Sequence, residues 1–220
     1  MNIIEYGTSW LLEDQLDTEL LNEIKDFLNN NLEFLYKDKE CYSTIGNNVE
    51  QYWIERKGKK QFHYKNQEYE NIEQKFRKQI HGRLKAASLL RNKEIELEQT
   101  GAWTIIGEEG SYHVTHTHFH GRNEGISTVI YLNVPESKTD DQSNSIFLVF
   151  HTDPPSHFIN TPCPNVHHIK PEVGKLLIFP YHIPHGTYPQ TKGIRQTFNI
   201  DYYFSANSNE IYKNNIIKYQ

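Results

Sequence analysis

The sequence predicts an α+β fold, mainly β, with helices laid over one face of an antiparallel sandwich or barrel. Three observations carry this. Helical periodicity is confined to the stretch before residue 93. After Lys93 the pattern changes to short runs rich in β-branched and aromatic residues, split by Gly, Pro, Asn and Asp. Helices first and strands later make an order in which the helices cover an antiparallel core. No internal repeat or low-complexity tract divides the 220 residues, so one domain is the simplest organisation. Within it, residues 1–92 form a helical and connecting region, 93–205 the β core and 206–220 a tail.

The elements follow in chain order. From Leu16, apolar residues recur at Leu20, Leu21, Ile24, Phe27 and Leu28, one face of a helix, and Asn29 to Asn31 form a stop. A second helix reads from Tyr69 to Leu90, with Ile72, Phe76, Ile80 and Leu84 four apart. Between them, Glu55 to Glu68 is polar and mostly basic (Arg56, Lys57, Lys59, Lys60, Lys65), either a solvated loop or edge hairpin or a substrate-facing patch. The β-like runs are IELEQ, AWTIIG, YHVTHTHFH, ISTVIYLNV, SIFLVF, GKLLIFP and IRQTFNIDYYF. Pro135 to Ser145 is a polar connection between two of them, with the composition of a lid or substrate-gripping loop.

Composition narrows the function. Lys plus Arg is 23 and Asp plus Glu is 28, a formal charge of −5. This balance argues against nucleic acid as an obligatory partner, which requires a basic surface to neutralise phosphates. Cys41 and Cys163 are too few for a disulfide scaffold and too far apart for a CxxC zinc site. No apolar run reaches the ~18 residues that span a bilayer, and the N-terminus lacks the basic region of a secretory signal. A soluble, cytoplasmic setting is the expectation.

Histidine is the unusual residue. Of the 12 in the chain, most lie between His113 and His185, and imidazole is the commonest protein metal ligand. Read as a strand, YHVTHTHFH puts His116, His118 and His120 on one face with Val114, and His113 on the other. Histidines two apart on one strand face stand roughly 7 Å apart and can share an ion. The candidate for a third ligand is His185 in FPYHIPHGTYP, just after the strand GKLLIFP, with prolines on either side to fix its approach. His113, His120 and His182 are candidates for orienting the ligands or are surface histidines. His157, His167 and His168, after His151, fall in a stretch that reads as a rim loop, and Trp103 and Phe179 read as core.

In the last strand, Arg195, Thr197, Asn199 and Asp201 share one face, and Ile194, Phe198, Ile200 and Phe204 the other. A polar face on a buried strand fits an interior that holds a polar ligand. Arg195 there either clamps a carboxylate or pairs with Asp201 or a surface acid.

From Gly101 to Phe204 the chain resembles the non-haem Fe(II), 2-oxoglutarate-dependent dioxygenases, particularly the prolyl-hydroxylase-like group and the small oxygenases of bacteria and phages. The stretches that carry the resemblance are HTHFHGRNEGISTVIYLN, GKLLIFPYHIPHGTYP and GIRQTFNIDYYF. The resemblance implies a double-stranded β-helix, a jelly-roll or cupin-like barrel. It implies Fe(II) on His116, His118 and His185, with 2-oxoglutarate as co-substrate and O2 as oxidant. It implies that Arg195, ten residues past His185, grips the far carboxylate of 2-oxoglutarate, with Tyr131, Asn133 and Thr197 beside it. The product set would be succinate, carbon dioxide and a hydroxylated substrate, small-molecule or peptidyl. His118 stands where the wider superfamily has a carboxylate, so Glu124 is an alternative second ligand. Cupins are the rival, with Gly110, His116, Glu124, Gly174, Pro180 and His185 near their pattern. There, however, the glutamate comes late, His182 replaces a glycine, and Arg195 has no task. A β-helix binding module built round a structural metal is the non-enzymatic alternative.

Overall fold

The computed structural model describes residues 1–6, 9–38, 46–58, 64, 66–90, 95–118, 125–136, 145–152 and 163–205. Two helices form where the apolar period is four. In α1 (Thr18–Asn31), Asp17 caps the N-terminus by accepting the amides of Glu19 and Leu20 at 3.0 and 3.2 Å. In α2 (Gln67–Ala86), Asn66 does the same for Glu68 and Tyr69, with Glu68 and Glu70 in the first turn and Arg83 and Lys85 in the last. α2 stops at Ala86, short of Leu90, where Ser88 turns the backbone to φ 56°.

Eleven strands are described: β1 (Asn2–Tyr6), β2 (Ser9–Gln15), β3 (Tyr36–Lys37), β4 (Gly46–Arg56), β5 (Glu96–His113), β6 (Gly125–Asn133), β7 (Ile146–Thr152), β8 (Cys163–Ile169), β9 (Lys175–Pro180), β10 (His185–Thr187) and β11 (Arg195–Ser205). They make an antiparallel sheet ordered β1-β2-β9-β6-β11-β5-β4-β3 and a smaller one ordered β10-β7-β8. This is the double-stranded β-helix architecture, but the two sheets do not close into a continuous barrel. Several boundaries differ from the sequence reading. IELEQ and AWTIIG are one strand, β5, which ends at His113, so HTH lies beyond it and not within a strand. Residues 163–168 of the expected rim loop belong to strand β8, and Glu55 and Arg56 belong to β4. The hairpin β1–β2 was not legible because Leu11 and Leu12 are buried on opposite faces of one strand, which erases the alternation. The loop 137–144, residues 59–63 and 65, and the tail lie outside the described residues.

Two apolar layers sandwich the large sheet. On one face, α1 and α2 pack Ile24, Phe27, Phe76 and Ile80 against Ile130, Phe198, Ile200 and Tyr202. On the other, Val129, Tyr131, Leu177 and Phe179 meet Ile146, Leu148 and Ile169 of the small sheet. Strand β11 sits between β6 and β5 and belongs to both: its even residues face the helices, while Arg195, Thr197, Asn199 and Asp201 face the space between the sheets. Phe76 is fully buried and lies 6.3 Å from the ring of Phe198 and 6.5 Å from that of Tyr202. Phe76→Ala should cost about 3–5 kcal/mol, since the cavity it leaves is walled by a rigid sheet. Urea unfolding followed by circular dichroism checks this, and a change below about 1 kcal/mol would mean that the helices do not brace the sheet.

Candidate metal and co-substrate site

The site forms where the two sheets touch. Just past β5, His116 makes an isolated antiparallel bridge to His185 at the start of β10, each backbone N–H donating to the other's carbonyl at 3.0 Å. Two residues on, the His118 N–H donates to the Tyr181 carbonyl at 3.1 Å, and Tyr181 in turn donates to Gly125. Gly125 is required here, because a Cβ would stand 2.2 Å from the Tyr181 ring. The turn between Pro180 and Pro184 is fixed by the Ile183 N–H on the Pro180 carbonyl and the Val149 N–H on the Pro184 carbonyl.

These backbone ties bring three imidazoles together. Ring centroids of His116, His118 and His185 are 4.4 to 5.2 Å apart, and one ring nitrogen from each lies within 4.8 Å of the others. Every Nδ1 has an acceptor: the Val114 carbonyl at 2.9 Å for His116, the Ile183 carbonyl at 3.0 Å for His185, and the Asp201 carboxylate at 2.9 and 3.0 Å for His118. Protons are thereby held on Nδ1, leaving the Nε2 lone pairs for a common point. The Nε2 atoms of His116 and His118 are 3.2 Å apart. Two ligands ~2.1 Å from one ion and ~90–109° apart stand about 3.0–3.4 Å from each other. Burial first, then the neighbouring His118, pushes His116 down to about 4, and burial with the same neighbours holds His185 well below the usual histidine range. Near neutral pH both are neutral, the form that binds metal. Three nitrogen donors without a thiolate fit Fe(II) and leave coordination positions open.

From sequence, Asp201 belongs to a polar strand face and is one possible partner of Arg195. Six residues along β11 separate the two, roughly 20 Å, and the Asp201 carboxylate instead takes His118 and the Ser127 hydroxyl of β6. A carboxylate therefore does serve the metal site, one atom shell out. The sequence could not assign this role, because the contact spans 83 residues. Glu124 and His120 lie outside the described residues.

From the triad a cavity of about 210 Å³ runs between the sheets. Arg195 and Tyr131 line its far end, both almost completely buried. Burial lowers the affinity of Arg195 for its proton, and the Tyr131 hydroxyl has no hydrogen-bond partner although it is buried. A buried cation beside a buried, unanswered hydroxyl is the donor set for a carboxylate, which fits the far end of 2-oxoglutarate. Arg195 Nη2 donates to Thr187 Oγ1 at 3.0 Å, a residue that sequence reading missed. Thr197 lines the same cavity, whereas Asn133 is exposed and its Oδ1 accepts the Val134 amide instead. Trp103 proves to be cavity wall as much as core, its ring 5.5 Å from His118 and 5.1 Å from Trp53. Phe179 is core, with its ring edge-on to His185. His113 lines the cavity next to His116 rather than facing away. His182 bonds Ser9, His167 bonds Glu13 and His168 stacks on Tyr188, all away from the triad. His157 and the side chain of His151 are among the residues not described.

Comparison with known proteins finds a similarity in the same part of the chain. Residues 101–201 match the family model described as "Putative 2OG-Fe(II) oxygenase". The matched stretch, just under half of the chain, is the part that carries the triad, Arg195 and Asp201. The fold agrees with solved structures of low identity. A Pseudomonas putida prolyl-4-hydroxylase superposes with a TM-score of 0.55 at 14% identity, over 92% of this chain and 94% of that one. A 2OG-Fe(II) oxygenase family oxidoreductase from Burkholderia pseudomallei gives 0.61 at 14%, over 88% and 84%. HygX from Streptomyces hygroscopicus, solved with nickel and 2-oxoglutarate bound, gives 0.53 at 14%, over 88% and 82%. None of the curated proteins compared matches the chain in sequence.

Two variants test the site. Asp201→Asn should weaken metal binding by about 10- to 100-fold, because the amide no longer enforces the His118 tautomer; chelator-competition titration with Fe(II) under argon measures it, and an unchanged affinity would make Asp201 a bystander. Gly186→Val places a Cβ 2.7 Å from the Phe147 ring on β7, the neighbour of β10, and 2.9 Å from the His113 carbonyl at the end of β5, which leads into His116 and His118. Its metal affinity should fall although no ligand is changed, as the same titration would show.

Proposed function

We propose that this protein is a 2-oxoglutarate- and Fe(II)-dependent oxygenase and a hydroxylase, acting in the cytoplasm on a small-molecule or peptidyl substrate, with no obligatory nucleic acid or membrane partner. The observation that carries the reading is the single cavity with neutral imidazoles at one end and buried Arg195 with Tyr131 at the other. That spacing of donors suits a ligand with a chelating end and an acidic end. When bound, Fe(II) with 2-oxoglutarate and O2 supplies oxidative decarboxylation to succinate and carbon dioxide, and with it the oxidising power that hydroxylates the substrate.

The chain's own residues do the rest. His116, His118 and His185 would hold the ion, and Asp201 fixes the His118 ring through Nδ1, with Nε2 turned to the site, and adds negative charge behind it. Arg195 and Tyr131 anchor the far carboxylate, with Thr197 beside them. Thr187 holds the guanidinium in place. Burial of Arg195 strengthens this pairing and keeps water from competing for it. Substrate approaches from the side of Trp53 and Trp103. A second cavity of about 240 Å³ shares these walls and Arg56, and adds Lys57 and Tyr203; Arg56 and Lys57 are two of the basic residues expected of a substrate-facing patch. The cupin alternative leaves Arg195 without a task, and a structural metal site would have four protein ligands, whereas three side chains converge here among the described residues.

Two experiments test the reading. Anaerobic addition of Fe(II) and 2-oxoglutarate should give a weak visible charge-transfer band, and air should then yield succinate even without a prime substrate. Metal binding with neither signal would remove the chelated keto acid from the account. Arg195→Ala should weaken 2-oxoglutarate binding by roughly 10- to 1,000-fold at ~1.4 kcal/mol per factor of ten, with Arg195→Lys recovering part and metal affinity unchanged. Normal co-substrate binding with a lower melting temperature would make Arg195 structural.

A further inference from the structure

Among the described residues, two side-chain polar atoms are buried without a hydrogen-bond partner: Tyr131 Oη and His113 Nε2. Both belong to residues that line the cavity of the triad. Buried donors are ordinarily paired, and the exceptions mark places where a ligand completes the set. The reading given above assigns the tyrosine. It gives the histidine nothing to do.

The placement of His113 is specific. It is the last residue of β5, and its backbone N–H donates to Thr187 Oγ1 at 2.8 Å. The same oxygen accepts Arg195 Nη2 at 3.0 Å. The imidazole-bearing residue and the guanidinium are therefore hung from one hydroxyl. The His113 ring stands edge-on to His116, with centroids 5.6 Å apart, and the residue lines the same cavity as Arg195 and Tyr131. It is not among the nitrogen donors that converge on the ion position. Its carbonyl is pressed against Gly186, where a Cβ would come within 2.9 Å, so the strand end has little freedom to swing the ring away.

A carboxylate accepts through about four lone-pair positions. Arg195 and Tyr131 leave room for another donor. We propose that His113 Nε2–H is a third donor to the far carboxylate of 2-oxoglutarate, making His113 a co-substrate positioning residue that selects a dicarboxylic keto acid. This rests on the function proposed above.

The test uses full-length protein loaded with Mn(II), which binds the keto acid without turnover. Calorimetric titrations compare 2-oxoglutarate with 2-oxovalerate, which keeps the chelating end and carries a methyl group in place of the far carboxylate. His113→Phe keeps the ring shape and removes the donor. It should weaken 2-oxoglutarate binding about tenfold, the size of one hydrogen bond to a charged group. Binding of 2-oxovalerate and of Mn(II) should stay within twofold of the unsubstituted protein. His113→Gln places an amide N–H near the Nε2 position and should recover most of the loss; it also serves if the phenylalanine variant fails to fold. Equal weakening of both keto acids would put His113 at the chelating end and overturn the assignment, as would a loss of Mn(II) affinity or no loss at all. Failure of the unsubstituted protein to bind 2-oxoglutarate would instead overturn the function on which the proposal rests.

Discussion

The backbone bridge between His116 and His185 is the constraint on which the rest of the site depends. It is a single pair of reciprocal hydrogen bonds, yet it joins the large sheet to the small one and sets two of three ligands at a fixed separation. A side chain alone could not do this, because imidazoles on two independent loops would have to be ordered by the ion itself. Here the peptide groups do the ordering in advance. The third ligand inherits the same frame, since the His118 amide is tied to Tyr181, only four residues before His185.

Around that frame the electrostatics are divided. All three candidate ligands are imidazoles, so an ion held there would receive no charge from direct contact. Compensation comes through His118, whose far nitrogen meets the Asp201 carboxylate. Positive charge is concentrated at the other end of the cavity, on Arg195. The cavity thus has a dipolar character that matches a molecule chelating through one end and ionised at the other. The low dielectric of the buried space makes both ends count for more than they would at a surface.

Much of this was legible in the sequence where periodicity is clean. The helical faces of Leu20 to Leu28 and of Ile72 to Leu84, and the two faces of β11, were read correctly because each has one apolar and one polar side. The reading failed where a strand is covered on both sides. Leu11 and Leu12 point into different cores, so β2 showed no alternation. It failed again at His113. Treating YHVTHTHFH as one uninterrupted strand turned that ring away from its neighbours, whereas the strand ends there and the chain changes direction. The partner of His118 was hidden for a different reason. Residues far apart in the chain reveal their contact only once β6 and β11 are in register, and periodicity carries no register between strands.

The position of β11 has a consequence for how the protein is made. This strand is last in the sequence among those described, yet it lies in the middle of the large sheet, with β6 on one side and β5 on the other. A growing chain therefore presents His116, His118 and His185 before the strand that carries Asp201 and Arg195 has emerged. Until β11 slots in, the gap between β5 and β6 stays open and His118 lacks its carboxylate. Contacts of such long sequence separation are late events in folding. The arrangement that pairs His118 with Asp201 and brings Arg195 into the same cavity is accordingly completed only when the last described strand has closed the sheet, after every other part of it has been synthesised.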